Sequence, residues 1–272
     1  MTLRLLLLLL AVSLCSAQCP TGCSCSGTSI TCTGLTSFPT LAFPDVTTLR
    51  LNNINSNIPP NAFAAMPRLQ SISIYNGNIS SIARCAFSGI PTKSISISRV
   101  RIGNIASGAF QNLQNVARTI TITYGQIGLI SSHAFYRLSN LATLSIQRNN
   151  ITTIQGYAFS RISRSRTFYF YYNNVTNLNG YAFASLNRTS FSSTSNFYRG
   201  SIMNVGCKAL EGLKTVSSLT LRCDCDMVPL IQGSVFLGFV HCFSPSQLHD
   251  VISGSGNNCT VPSIPEPNSC TA

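Results

Sequence analysis

Carboxylates are nearly missing from this chain. Its six acids are Asp45, Glu211, Asp224, Asp226, Asp250 and Glu266, so none falls between positions 45 and 211. Histidine is almost as scarce, at His133, His241 and His249, and tryptophan is absent. Without a carboxylate to orient a base, act as one or share a metal, the middle of the chain cannot carry ordinary acid–base, hydrolytic or metal chemistry. No glycine-rich phosphate loop stands between a strand pattern and a helix pattern. Apolar runs are short as well. The longest, Leu5 to Val12, is below bilayer-spanning length. These absences exclude the common enzyme classes. They lead us to expect no catalytic residues, no cofactor, no metal and no membrane span.

Positive charge is plentiful. Eighteen basic residues against six acids give a formal net charge of +12 over 272 residues. Solubility needs only a mixed-sign surface, so a one-signed field points to an anionic partner. Arg4, the run to Val12 and Cys15-Ser16-Ala17 have the layout of a secretory signal peptide, with cleavage expected after Ala17. Val261 to Ala272 has no hydrophobic tail of the kind that precedes a lipid anchor. We therefore expect a secreted, extracellular product, favoured as a monomer. The compartment argues against nucleic acid as the partner. In it, eleven of the twelve cysteines are first of all disulfide candidates, and metal binding is the weaker reading.

The segment Leu141 to Ile162 supplies the organising unit. Leu144 and Ile146 alternate as in a strand with one buried face, Asn149 follows, and Ile151, Ile154, Phe159 and Ile162 have the spacing of turn-filling residues. An Ala-Phe pair marks each copy, at 62, 86, 109, 134, 158 and 182, with Ala209-Leu210 as a seventh. The steps are 24, 23, 25, 24, 24 and 27 residues, a period near 24 that belongs to extracellular leucine-rich repeats. The fold class expected is α/β: a leucine-rich repeat right-handed solenoid, or horseshoe, with a parallel concave β-sheet and a short 3₁₀ or irregular convex side. Counting back from each pair gives buried strand residues Leu49 and Leu51, Ile72 and Ile74, Ile95 and Ile97, Ile120 and Ile122, Leu144 and Ile146, Phe168 and Phe170, Phe191 with Ser193, and Leu219 and Leu221. The polar Ser193 and the long last step predict an irregular stretch from Asn187 to Asn204. The asparagine of the unit recurs at Asn173 and Asn196 but is replaced at Gly77, Val100 and Gly125, where other groups must complete the backbone ladder.

Cysteines cluster at both ends. Cys19-Pro20, Cys23-Ser24-Cys25-Ser26-Gly27-Thr28 and Cys32 precede the first repeat, and Cys223-Asp224-Cys225, His241-Cys242 and Cys259 follow the last. A solenoid needs its open apolar ends covered. The front string resembles the N-terminal cap of extracellular leucine-rich repeat proteins, in particular the variable lymphocyte receptors of jawless vertebrates, and the rear module is similar to Slit-like C-terminal caps. The resemblance implies domains at 1–17 (signal peptide), 18–45 (N-terminal cap), 46–222 (about seven repeats), 223–260 (C-terminal cap) and 261–272 (tail). It also implies bridges Cys19–Cys25, Cys23–Cys32, Cys223–Cys242 and Cys225–Cys259. The sequence departs from that family in lacking the Asn-Pro-Trp segment before the rear cap and the Thr- and Pro-rich stalk. Of the cysteines left over, Cys85 and Cys207 stand five repeats apart, roughly 25 Å by strand stacking, too far to bridge. Cys270 is therefore weighed against Cys207, leaving Cys85 as a lone thiol, either an intermolecular link or, the favoured reading, half-buried and inert.

Residues flanking each buried strand pair point outward. They are Ser, Thr, Asn, Tyr and Arg without one acid. Strand propensity explains the threonines but not the crowding of Tyr169, Tyr171 and Tyr172 beside Arg148. Tyrosine with Arg and small polar residues is a binding-face composition, and arginine offers forked donors to anions. The candidate ligand-binding residues on the concave face are Arg50, Asn52, Tyr75, Asn76, Arg99, Tyr124, Gln147, Arg148, Tyr169, Tyr171 and Tyr172. A second basic group, Arg161, Arg164 and Arg166, fits a solvated surface equally well. Glycosylation sequons stand at Asn78, Asn150, Asn174 and Asn187, and glycans on the first three are expected to line one rim. The expected partners are microbial surface glycans such as lipopolysaccharide or lipoteichoic acid, or a protein antigen, in an innate immunity role. The alternative is a matrix or signalling module that binds heparan sulfate or a growth factor.

Overall fold

The computed structural model describes residues 19–39, 42–113, 119–184, 186, 191–206, 209–210, 212–213, 215–217, 219–221, 236–237, 240–242, 264–267 and 270. The signal-peptide segment, Asn187, Arg222 and the Cys223–Cys242 and Cys225–Cys259 pairs lie outside the described residues.

The repeats form a parallel solenoid. In each turn the alternating pair drives one strand into a first sheet. Its strands run in register from Ser29–Thr33 through Thr48–Ile54, Ser71–Ile82, Ser94–Ser98, Thr119–Thr123, Thr143–Gln147 and Ser165–Tyr171 to Phe191–Tyr198 and Thr215–Ser217. Leu49, Leu51, Ile72, Ile74, Ile95, Ile97, Ile120, Ile122, Leu144, Ile146, Phe168 and Phe170 are all buried, as the repeat spacing predicts. The period of two places every second side chain inward, and parallel stacking repeats that choice turn after turn.

The solenoid, its parallel first sheet and the turns that carry the Ala-Phe pairs are as expected. Only the helical part of the α/β class is missing: among the described residues there is no helix, and a second parallel sheet follows each corner. Its strands include Arg101–Ile105, Gln126–Ile130, Asn150–Ile154, Asn174–Leu178 and Ser201–Val205, joined to the distal half of Ser71–Ile82. Ile151 pairs with Val175 and Ile154 with Leu178, while the residue two places after each strand start is skipped in the pairing. That skipped residue moves the second inward position from two residues on to three. An i, i+3 apolar pair thereby sits in a strand. A third side carries the Ala-Phe pairs, with a two-stranded pairing of Phe135–Tyr136 and Phe159–Ser160.

Phenylalanine fills the centre. Phe63, Phe87, Phe110, Phe135, Phe159 and Phe183 stack in sequence with ring centroids 5.2, 4.8, 4.9, 5.0 and 5.0 Å apart. All six are fully buried, so the repeat marker in the sequence is the spine of the core. Beside it, Asn149 completes the backbone. Its Nδ2 donates to the carbonyls of Ile122 (3.0 Å) and Gln147 (2.9 Å), and its Oδ1 accepts from the Gly125 N–H (2.9 Å). Where asparagine is replaced by Gly77, the backbones meet directly. A Cβ on Gly77 would stand 2.2 Å from the Ile54 carbonyl oxygen, and its φ is +102°.

The turn with the 27-residue step is set differently from the spacing argument. Phe168 pairs with Ser195 and Phe170 with Phe197, so the buried Phe197 stands in register with Phe170 where the spacing placed Ser193. A register shift between Ser165 and Thr167 takes up one of the three extra residues. Asn196 then pairs with Tyr169 and is not the ladder asparagine. Leu219–Leu221 joins the second sheet beside Ser201–Val205, and Thr215–Ser217 takes its place in the first.

At the front, a hairpin of Cys23–Ser26 and Ser29–Thr33 is stapled by Cys19–Cys25 and Cys23–Cys32, both as the family resemblance implies. The Cys207–Cys270 bridge and the lone Cys85 thiol are overturned, because Cys85 is joined to Cys270 across 185 residues. The tail reaches Cys85 by running back along the third side. Ile264 lies by Gly156, Glu266 by Tyr136 and Arg161, Pro267 by Gly108, and the Cys270 carbonyl accepts from Asn112 at 3.4 Å. Stacking distances limited only the Cys85–Cys207 pair and said nothing about a segment that crosses the turns.

Candidate recognition surface

Parallel register turns equivalent residues into columns along the solenoid axis. Arg50, Ser73, Ser96, Thr121, Ser145 and Tyr169 form one column on the first sheet, and Asn52, Tyr75, Ser98, Thr123, Gln147 and Tyr171 form the next. A third column stands where each strand turns towards the second sheet. It contains Asn53, Asn76, Arg99, Tyr124, Arg148, Tyr172 and Arg199, with φ between +49° and +58° at every position. All seven are exposed. This left-handed bend swings the side chain out of both sheets. Corner amides bond forward, Arg99 N–H to the Thr123 carbonyl (2.9 Å) and Arg148 N–H to that of Tyr171 (2.9 Å), which fixes the column to the ladder.

The eleven candidates therefore do not form one patch. Arg50 and the Tyr169 cluster are five strands apart, roughly 24 Å. Arg50 donates to Ser29 Oγ (3.1 Å) and Asn76 to Asn52 Oδ1 (3.2 Å), a polar end beside the cap. The other end is aromatic and cationic. The Arg148 guanidinium lies 5.4 Å from the Tyr124 ring centre and 5.0 Å from that of Tyr172. Tyr169 and Tyr171 approach at 4.9 Å, and Gln147 Nε2 donates to Ser145 Oγ (2.6 Å). Arg199 extends the column. Its guanidinium is 5.9 Å from the Tyr172 ring, and Nη1 donates to Tyr172 Oη at 3.1 Å. A strand counted from Phe191 stops short of Arg199. The signal was present, since Arg199 follows Tyr172 by 27 residues, the length of the irregular step.

The second basic group divides. Arg161 pairs with Glu266 at 2.6 Å and lies 6.0 Å from the Tyr136 ring centre, so it meets the tail. Tyr136 Oη donates to Glu266 at 2.7 Å. That hydrogen bond, with Arg161, His133 and Arg137 nearby, holds the Glu266 carboxyl below its usual pKa of 4.5. Burial and the same bond push the Tyr136 phenol above 10.0. His133 bonds Ser160 Oγ through Nδ1 at 2.6 Å, and burial lowers its pKa below 6.5, opposed by its hydrogen bond to the Ile264 backbone and by Glu266.

On the second sheet the sequon residues Asn78, Asn150 and Asn174 share a column with Arg101, Gln126 and Ser201, and all three are exposed. Asn174 Nδ2 donates to Asn150 Oδ1 at 3.1 Å. Among the described residues no cluster of three His, Cys, Asp or Glu could hold a metal, and no helix is long and apolar enough to cross a membrane.

A family model described as BspA type Leucine rich repeat region matches in six copies over residues 38–121 and 101–211. Among solved structures the chain is similar to one in the octameric complex of Latrophilin 3 (Lec, Olf), Unc5D (Ig, Ig2, TSP1) and FLRT2 (LRR). That match is 17% identical, covers 84% of this chain and 95% of that one, and has a TM-score of 0.26.

Proposed function

This chain belongs to the BspA-type leucine-rich repeat family, and on that premise we propose that it is a secreted, immune-type recognition protein rather than an enzyme. The ligand is an anionic component of microbial surfaces, of the lipopolysaccharide or lipoteichoic acid kind, or an antigen bearing such groups. It binds on the first sheet and its corner. The observation that carries this reading is the corner column, where Tyr124, Arg148, Tyr172 and Arg199 interleave rings and guanidinium groups on an exposed edge of a stretch with no acid between positions 45 and 211. Tyrosine supplies rigid area and arginine supplies forked donors to phosphate and carboxylate. The disulfides and the resemblance of the front cap to variable lymphocyte receptors are compatible with an extracellular receptor of this type.

A pull-down on whole bacteria at physiological salt tests it. Wild type is expected to bind, and a Tyr169→Ala/Tyr171→Ala/Tyr172→Ala variant to bind weakly. No binding by the wild type would sink the proposal, and unchanged binding by the variant would move the site off this face. The matrix alternative shares the same arginines. It prevails if heparin binds tightly and bacteria do not.

A further inference from the structure

The corner column has a period of its own. From the third repeat onward its residues alternate as Arg99, Tyr124, Arg148, Tyr172 and Arg199. Each is one turn from the next, so the three arginines repeat every second turn, at roughly 9.6 Å from two strand spacings. The alternation is mechanical as well as chemical. The Tyr124 and Tyr172 rings flank the Arg148 guanidinium, and Tyr172 also receives the Arg199 hydrogen bond. Rings on both sides hold the guanidinium in place while its donor edge stays in the plane of the fork. Forward bonds from the Arg99, Tyr124 and Arg148 amides keep the column straight.

We infer that the ligand of this edge is a linear polyanion laid along the solenoid axis, with one sulfate, phosphate or carboxylate group for every two turns. An anionic group meets each of Arg99, Arg148 and Arg199, and the uncharged unit between two anions lies at Tyr124 or Tyr172. With guanidinium groups over the ring faces, each tyrosine presents its exposed edge and phenol, which suit the hydroxyls of a sugar. The class indicated is therefore a linear polysaccharide with one anionic group per disaccharide-sized repeat. A more densely charged polymer fits less well, because its additional charges would stand at the tyrosines between the arginines. This rests on the recognition reading above and narrows it from anions in general to anions at one spacing.

The experiment compares three probes on the full chain. Keratan sulfate and hyaluronan carry one anionic group per disaccharide, and inorganic polyphosphate carries one on every unit. The expected result is tighter binding per charge for the two polysaccharides. Arg148→Ala should then weaken them by roughly tenfold or more, the loss of one charge-assisted contact. Tyr124→Arg supplies the decisive variant. Arginine already occupies the same φ at Arg99 and Arg148, so the substitution suits the backbone. It should strengthen polyphosphate binding and weaken that of the polysaccharides. If polyphosphate binds best in the wild type and Arg148→Lys is neutral, the spacing idea is overturned while anion recognition stands. If no probe binds and bacteria are still captured in an Arg148-dependent manner, the polyanion inference fails alone. If neither probes nor bacteria bind, both readings fail.

Discussion

Two Arg–Tyr clusters sit on the same solenoid. On the third side, Tyr136, Arg137 and Arg161 gather around Glu266, which takes a hydrogen bond from the tyrosine and an ion pair from Arg161. At the corner, Tyr124, Arg148, Tyr172 and Arg199 gather around each other, with no carboxylate among the four. The chemistry is alike, but the third-side cluster is met by the chain's own tail: no acid stands between positions 45 and 211, and Glu266 comes back from more than a hundred residues away. The third side thus shows how tyrosine and arginine of this kind receive a carboxylate, and the corner offers the same two side-chain types on an exposed edge.

The two clusters share a core, and the largest effect comes from breaking it. Phe159→Ala removes one ring from the middle of the spine and should cost about 3–5 kcal/mol of stability, measured by denaturant unfolding, with both clusters lost together. Separating them is the next step. A Cys85→Ser/Cys270→Ser variant should lose about 2–5 kcal/mol because a very long loop is no longer closed. Anion binding at the corner should stay at the wild-type level, and a loss there would show that the corner depends on the tail.

Acidity should separate the clusters as well. His133 and Glu266 both have lowered pKa values in the folded protein. The unfolded chain therefore binds more protons, and stability falls as the pH drops, first below 6.5 through His133 and then below 4.5 through Glu266. Tyr136 works in the opposite sense, because its raised pKa removes stability above pH 10.0. The corner column contains no histidine or carboxylate, so its anion binding should not follow the acid-side loss of stability at His133 and Glu266. Hydrogen exchange of the 133–137 amides and a binding assay, both as the pH drops, check the two halves. The smallest effect is Glu266→Gln. It removes an exposed ion pair and should lower stability by about 1 kcal/mol or less.

Much of this architecture was legible in the sequence, for reasons that differ between residues. The Ala-Phe ruler and the Leu144–Ile146 alternation identify the repeats and the inward face from Leu49 to Phe170 because a buried period of two recurs in each of those turns. The second sheet stayed hidden because the Ile151–Ile154 spacing reads as turn filling unless a skipped residue is known to interrupt the strand. Arg199 and Phe197 were missed through a local register slip, which spacing counts inherit from their starting point. The corner residues were recognised by composition. Their alternation became visible only once equivalent turns stood in columns. Cys85–Cys270 was beyond reach, because sequence separation carries no information on which distant segments cross.

That bridge also bears on how the molecule comes to exist. A stack of repeats can assemble turn by turn as each one appears, since every turn needs only its neighbour. Cys85 belongs to one of the first turns made, yet its partner follows 185 residues later. The bridge cannot close before residue 270 has been made, so the fastening of that turn comes later than the turn itself.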